Sequence, residues 1–311
     1  MTIKTWSTPV AEEESRPIPC ALCGGEHFIP HLNCEGFAFV RCPCCGLVQM
    51  NPQPLFKAIV NRYQDGHGND YLSYELANEA GFLRLQELAL ADAGFDEIEA
   101  FLKNRAAQAG EQARPGQYTQ DGQSGQPKVL DIGCATGALL VNLRNRGWTC
   151  AGVEISPSAC YARRERGLDV RSLPLEENHF PDSSFDLVLA SHLIEHLNNP
   201  VEFVKEVYRI LSPGGYFIVT TPNISGFQAK LFKGRWRSAI FDHLYLFSIK
   251  TLSALLTKNG FTIERICTWG GLAAGTAPAA VKRIADRAAK KFGFGDVMLI
   301  RGNKSDPQFK V

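Results

Sequence analysis

The chain has 311 residues, of which 45% are hydrophobic and 21% charged, and its formal net charge at pH 7 is +1. That length exceeds one ordinary core and suits a large domain plus an accessory module. The near-neutral charge excludes a global pull toward nucleic acid or an anionic membrane, and no apolar run is long enough to span a bilayer.

The first 17 residues, "MTIKTWSTPVAEEESRP", lack the apolar core of a signal peptide and read as a flexible tail of a cytoplasmic protein. Ten cysteines follow, and cytosolic cysteines are rarely disulfides. Cys20-x-x-Cys23 and Cys42-x-x-Cys45 form two knuckles, each followed by glycine in "CALCGG" and "CPCCGL". Glycine lets the backbone turn beneath a metal, and four thiolates suit one tetrahedral zinc. Residues 18–53 are therefore expected to be a zinc ribbon with a structural metal. Cys44 is the spare thiol, Cys34 packs, and "GFAFVRC" and "GLVQMNP" supply short strands.

A helical connector is expected over 54–105. It begins in "NPQPLFKAIVNRYQ" and continues as an amphipathic stretch over 70–103 that bends near Gly81 or Gly94. Residues 106–127, rich in Gln and Gly, read as a mobile linker or exposed loop. From 128 to 302 the rhythm is strand then helix. Strands are expected at "KVLDIG", "TCAGVEIS", "LDVRSL", "FDLVLASH", "YFIVTTPN", "FTIERICTW" and "DVMLIRGN". "NPVEFVKEVYRIL" reads as a helix capped by Asn199, with Glu202 placed to complete a capping box, and "SPGG" ends it. "APAAVKRIADRAAKKFG" reads as a basic amphipathic surface helix, and 303–311 as a tail. The alternation implies an α/β fold: a Rossmann-like, doubly wound sheet, mainly parallel, with an antiparallel C-terminal strand.

Ligands of such sheets bind beyond the carboxyl ends of the strands, where strand order reverses. In "DIGCATG" the first strand ends at Asp131, and Gly133 and Gly137 permit a tight turn before a helix. The second strand ends in Glu154, about twenty residues on, placed to accept from ribose hydroxyls. The Lys-Ser or Lys-Thr of a phosphate loop is absent.

Val129–Leu140, Glu154, Phe180–Pro200 and Leu211–Asn223 together resemble class I S-adenosylmethionine-dependent methyltransferases. The resemblance covers roughly 128–302 and rests on four ordered motifs. Ala135 replaces the usual second glycine, and "SH" replaces the usual single hydrophobic or acidic residue after the fourth strand. "CALCGG…RCPCCGLVQMNPQP" and "FDHLYLFSIKTLSALLTKNGF" resemble a subgroup with a zinc ribbon ahead of the methyltransferase, which includes sugar C-methyltransferases and natural-product enzymes. The resemblance implies S-adenosylmethionine as cofactor. Asp131 would hold the methionine ammonium, with Gly133, Cys134, Ala135 and Gly137 lining the methionine and ribose. Glu154 would take the ribose diol, and Ile155 would lie on the adenine. Pro174 and Leu175 would meet the adenine edge, and Ser191 and His192 would end the fourth strand beside the methyl donor.

Methyl transfer needs alignment and, for some acceptors, a base. His192 and His243 are the candidate catalytic residues. If "SHLIEHL" is helical, His192, Glu195 and His196 share one face, as caps or as metal ligands. The insertion "ISGFQAKLFKGRWRSAI", with Phe232, Arg235, Trp236 and Arg237, is expected to be a lid or substrate wall. The expected acceptor is a small molecule, a sugar, nucleotide sugar or hydroxylated metabolite, methylated on oxygen or carbon. An RNA or protein methyltransferase that reads substrate through its zinc ribbon is the alternative. Neutral charge, and "TTPN" where an "NPPY" amide-nitrogen motif would stand, weigh against it. A non-catalytic protein binding zinc and S-adenosylmethionine is the third.

Overall fold

The computed structural model describes residues 15–57, 59, 68–112, 125–271 and 278–306. The strands, in chain order, are β1 (Ser15–Arg16), β2 (Ile29–Cys34), β3 (Phe37–Arg41), β4 (Val48–Met50), β5 (Gln53–Pro54), β6 (Lys128–Ile132), β7 (Thr149–Val153), β8 (Asp169–Arg171), β9 (Phe185–Ser191), β10 (Leu211–Pro222), β11 (Tyr245–Leu246), β12 (Phe261–Trp269) and β13 (Val297–Lys304). The α-helices are α1 (Gly68–Ala93), α2 (Phe95–Gln112), α3 (Ala138–Asn145), α4 (Ser158–Arg166), α5 (Pro200–Ile210), α6 (Phe227–Phe232), α7 (Ile249–Lys258) and α8 (Ala279–Phe292).

Seven strands form one sheet in the order β12-β13-β10-β9-β6-β7-β8. β6 pairs in parallel with β7 and with β9, and β7 with β8. The chain moves outward from β6 to β8, then returns to place β9 on the other side of β6. Strand order therefore reverses at β6, and the crevice beyond β6 and β9 is where such a sheet binds ligands. Residues on both faces of β6 and β9 are buried, with Val129, Leu130, Leu187 and Val188 fully enclosed. This is the continuous apolar character that a helix-covered parallel strand requires.

The chain divides into two compact units, one of residues 1–62, 192–205 and 219–300, the other of 63–191, 206–218 and 301–311. In the second unit the long helical stretch breaks once, at Gly94 (φ 77°), and Gly81 stays helical. α2 runs on through Gln112, so the first residues of the segment expected as a linker from 106 are helical; the sequence "RAAQAGEQ" is rich in helix formers. Residues 113–124 lie outside the described residues, as do 60–67 of the expected connector helix and 1–14 of the expected tail. Glu99 on α2 accepts from Trp148 Nε1 at 2.8 Å and Arg146 Nε at 3.1 Å. Burial alone would raise the Glu99 carboxyl, but Arg146, Trp148 and Lys103 outweigh it and hold it at about 2.

In the first unit β11, β4, β3 and β2 form a sheet in that order. The segment expected as a zinc ribbon over 18–53 thus shares its sheet with Tyr245 and Leu246. β2 escaped sequence reading because only Leu32 along it is buried. Asn199 Oδ1 caps α5 through the Glu202 N–H at 3.4 Å, while Glu202 Oε1 takes Lys205 Nζ at 2.7 Å. "SPGG" lies inside β10, which starts at Leu211 directly after α5; the turn expected there is a strand start. The expected lid is firmly built: Trp236 is 2% exposed and its Nε1 donates to Asp296 Oδ1 at 2.5 Å, with Arg237 on the other oxygen. Phe232 and Arg235 stay exposed, so only part of that segment is available as a wall.

Candidate functional site

The loop after β6 is shaped by three left-handed residues, Gly133 (φ 75°), Ala135 (φ 49°) and Gly137 (φ 78°). At Gly137 a Cβ would sit 2.4 Å from Leu168 Cδ1, so only glycine fits both the turn and the packing. Four of the loop's amides are taken up internally. Gly133 and Cys134 N–H both donate to the Val153 carbonyl, at 2.7 and 3.2 Å, and Gly137 N–H donates to Cys134 O at 2.8 Å. Ala135 N–H donates to Glu154 Oε2 at 3.0 Å, and Ser156 N–H to Glu154 Oε1 at 2.8 Å. A phosphate loop keeps such amides free for the anion. This loop offers close approach and carboxylates instead.

Asp131 is 1% exposed, and its Oδ2 has no hydrogen-bond partner. Burial, and then the Glu154 charge, push its carboxyl up to about 7. Glu75, from α1, is also buried and donated to by Ser158 Oγ. Burial raises Glu75 to about 7, with Glu154 and Glu79 adding to the rise against Ser158 and Tyr71. Glu79 accepts from Thr136 Oγ1 at 2.5 Å and pairs with Arg166 at 2.6 Å. Three carboxylates crowd the carboxyl ends of β6 and β7, and an unpaired acceptor lies buried among them. The chemistry that relieves this is a cation with hydrogen to donate.

Glu75, Glu79, Thr136, Ser156 and Ser158 were not picked out from the sequence. The only signal for the two glutamates was their i, i+4 spacing on an otherwise amphipathic stretch. Cys134 is 5% exposed with its sulfur against Gly152, where a Cβ would be 2.7 Å away, so its side chain packs under the loop. Ile155, Pro174 and Ser191 are half-buried, and Leu175 is 3% exposed at the start of a 3-10 turn over Leu175–Asn178.

In the first unit, His192 adopts φ 52° and its N–H donates to Thr220 O at 2.9 Å. This left-handed residue starts no α-helix, and only a 3-10 turn over Ile194–His196 follows. The expected shared face of His192, Glu195 and His196 therefore does not form. His192 Nδ1 lies 3.3 Å from Glu195 Oε1, and its side chain is 50% exposed. His196 turns to His243 instead, with ring centroids 4.7 Å apart. Glu195 is fully buried, and Thr221 Oγ1 donates to its Oε2 at 2.9 Å. Burial would raise Glu195, but the His192 hydrogen bond and the neighbouring imidazoles bring it to about 2. His243 is 7% exposed, its Nδ1 faces Ser238 O at 2.8 Å, and burial beside His196 lowers it to about 3.

The cysteine knuckles repeat one backbone pattern. Gly24 and Gly46 N–H donate to Cys20 O and Cys42 O at 2.7 and 2.9 Å, and Cys20 and Cys42 N–H donate to Gly25 O and Leu47 O at 2.8 and 2.9 Å. Gly24 and Gly46 both have positive φ, 73° and 84°. The sulfurs of Cys20 and Cys45 are 3.4 Å apart, those of Cys23 and Cys42 3.5 Å, and all four lie within 4.8 Å of one another. Sulfurs about 2.3 Å from a tetrahedral zinc are about 3.8 Å apart, so this set fits that ion. Cys44 is exposed and Cys34 half-buried, outside the cluster. Among the described residues no helix is long and apolar enough to cross a membrane.

The profile of a family described as "Methyltransferase domain" matches residues 89–266, more than half of the chain. A probable S-adenosylmethionine-dependent methyltransferase of Mycolicibacterium smegmatis is 34% identical over 139 residues, covering 44% of this chain and 52% of that protein. A ubiquinone biosynthesis O-methyltransferase of Caulobacter sp. (strain K31) is 32% identical over 120 residues, covering 34% of this chain and 46% of that protein. The chain thus spans about half the length of these curated relatives. A solved structure from Thermotoga maritima, described as a SAM-dependent methyltransferase and possible histamine N-methyltransferase, aligns with a TM-score of 0.49 at 23% identity, over 80% of this chain and 99% of that one.

Proposed function

The chain belongs to the methyltransferase-domain family, and from that premise we propose that it transfers a methyl group from S-adenosylmethionine to a small-molecule acceptor. The observation that carries this reading is the unpartnered, buried Oδ2 of Asp131, with Glu154 and Glu75 beside it. The methyl donor carries a sulfonium and an ammonium beside one carboxylate at its methionine end, a net positive charge with an ammonium to donate. A dinucleotide would bring anionic phosphates into this acidic site, where four of the loop amides are already engaged.

When bound, S-adenosylmethionine supplies a methyl carbon activated by positive sulfur. In this proposal Asp131 holds the ammonium, the backbone at Gly133, Ala135 and Gly137 admits the methionine and ribose, and Glu154 accepts from the ribose hydroxyls. Ile155, Pro174 and Leu175 border the adenine. Ser191 closes β9, and His192, the next residue, accepts the acceptor's proton or orients it, its ring held by Glu195. His243 is too buried to meet an acceptor directly, so we give it a supporting role behind Glu195 and His196. Cys20, Cys23, Cys42 and Cys45 hold a structural zinc, which leaves no coordination position for chemistry. Likeness to the Caulobacter ubiquinone biosynthesis O-methyltransferase supports an oxygen acceptor on a hydroxylated metabolite.

Calorimetry with S-adenosylhomocysteine, followed by a screen of hydroxylated metabolites with labelled methyl donor, tests the proposal. Micromolar binding and label transfer to a small molecule are expected. Preference for NAD would overturn it.

A further inference from the structure

Behind the exposed His192, two other imidazoles and a carboxylate converge without any role in the proposed donor site. His196 Nδ1 lies 2.8 Å from the Asp242 carbonyl oxygen, and His243 Nδ1 lies 2.8 Å from that of Ser238. A carbonyl oxygen only accepts, so each Nδ1 carries the proton and each Nε2 keeps its lone pair. The nitrogen each ring has left to offer is therefore a ligand nitrogen. The rings meet edge to face, 80° apart. One ligand atom from each of Glu195, His196 and His243 lies within 4.8 Å of the others.

A buried ionic network is the ordinary account of such a cluster. It explains Glu195, whose oxygens are met by Thr221 Oγ1 and His192 Nδ1. It does not explain why two adjacent histidines are each turned by a backbone carbonyl so that their lone pairs remain. That arrangement is how proteins orient metal-binding imidazoles: the far nitrogen donates to a carbonyl, and the ligating carboxylate is itself hydrogen-bonded.

We infer that Glu195, His196 and His243 bind a divalent metal ion of the zinc class. Two imidazoles and one carboxylate suit that ion, and three protein ligands leave a fourth position open. Ligand atoms about 2.1 Å from a tetrahedral ion stand about 3.4 Å apart, so a set lying within 4.8 Å has to draw in by no more than about 1.4 Å. His192 then lies behind the carboxylate as a positioning residue for the ligand. The open position takes water or the hydroxyl oxygen of an acceptor, and only that last step rests on the proposed methyl transfer.

Cobalt(II) titration of the full chain, with neither methyl donor nor acceptor present, separates this site from the cysteines. Cobalt held by four thiolates gives intense sulfur-to-metal absorption; cobalt held by nitrogen and oxygen gives only weaker visible bands. The wild type is expected to bind about two equivalents, one of each kind. His196→Gln and Glu195→Gln are expected to lose the equivalent without sulfur absorption and to keep the other, which reports a folded protein in the same sample. Should Glu195→Gln fail to fold, the half-buried His196→Gln gives the same reading. A wild type that binds no cobalt beyond the thiolate-held equivalent overturns the inference, and so does a second equivalent that survives His196→Gln. Neither result touches the methyl-donor binding measured by calorimetry.

Discussion

Glu154 Oε2 accepts the backbone N–H of Ala135 at 3.0 Å, joining the end of β7 to the loop after β6. The residue proposed to hold the ribose is therefore also the fastener of the loop that the donor approaches. Its other oxygen holds Ser156 N–H.

Glu154→Ala is expected to do two things at once. It leaves two backbone donors without their carboxylate and removes the ribose acceptor. Each charge-assisted hydrogen bond lost costs roughly 1.5–3 kcal/mol, so S-adenosylhomocysteine affinity should fall by about one to two decades or more. The melting temperature should fall as well. Calorimetry and a thermal scan on the same preparation check both. Unchanged affinity would place the nucleoside elsewhere.

If Asp131 holds the ammonium as proposed, donor binding is expected to depend on pH. Its folded carboxyl titrates at about 7, against about 3.9 in an unfolded chain. The stability it contributes is fully present below the unfolded value and is lost as pH rises through the folded one. A cationic ligand selects the ionised carboxylate and releases the proton. Affinity for S-adenosylhomocysteine should therefore rise with pH up to about 7, by roughly tenfold per unit for each proton released, and level off above. Glu75, also held at about 7, adds to the slope. Asp131→Asn should bind weakly and with a shallower pH dependence. An equal slope in wild type and variant would remove Asp131 from the ammonium site.

Much of this was legible in the chain, and the reasons are local. Asp131, Gly137 and Glu154 stand out because a strand end, a required left-handed turn and a second strand end each leave a short-range mark. The paired cysteine knuckles do the same through spacing and glycine. Glu75 and Glu79 left no such mark: they reach Ser158 and Thr136 from a helix some sixty to eighty residues upstream. The shared face of "SHLIEHL", expected only if that segment is helical, turns on one dihedral angle. With His192 at φ 52° the helix cannot start there, and His196 finds His243 across a turn. Trp236 read as a wall because Asp296, its partner sixty residues on, carries no pattern of its own.

The cysteine cluster predicts a sharp contrast between neighbours. Cys42 is buried and faces the Cys23 sulfur, while Cys44 is exposed and lies outside the four-sulfur set. Burial would raise Cys42, but the N–H groups of Cys45 and Cys44 and the thiols of Cys23 and Cys20 bring it down to about 6, so a thiolate is ready at neutral pH. Cys42→Ser should abolish thiolate-to-cobalt absorption and lower the melting temperature. Cys44→Ser should retain both. A protein that keeps its fold and melting temperature after complete removal of metal would contradict a structural zinc.

His192 and His243 can be told apart by what else changes when each is lost. His192 is half exposed with Nδ1 on Glu195, whereas His243 is almost wholly enclosed. Removing a general base typically slows turnover by about two to four decades while leaving ligand binding alone. His192→Ala is expected to show that pattern, with S-adenosylhomocysteine affinity close to wild type and a smaller loss of melting temperature than His243→Ala, because Thr221, His196 and His243 still face Glu195. His243→Ala opens a hole beside Glu195 and His196 and strands the Ser238 carbonyl, so its melting temperature should drop along with turnover. If His192→Ala turns over at the wild-type rate on an acceptor found by labelled-methyl screening, alignment of donor and acceptor alone drives the reaction, and the His192–Glu195 pair serves only to hold the turn after β9.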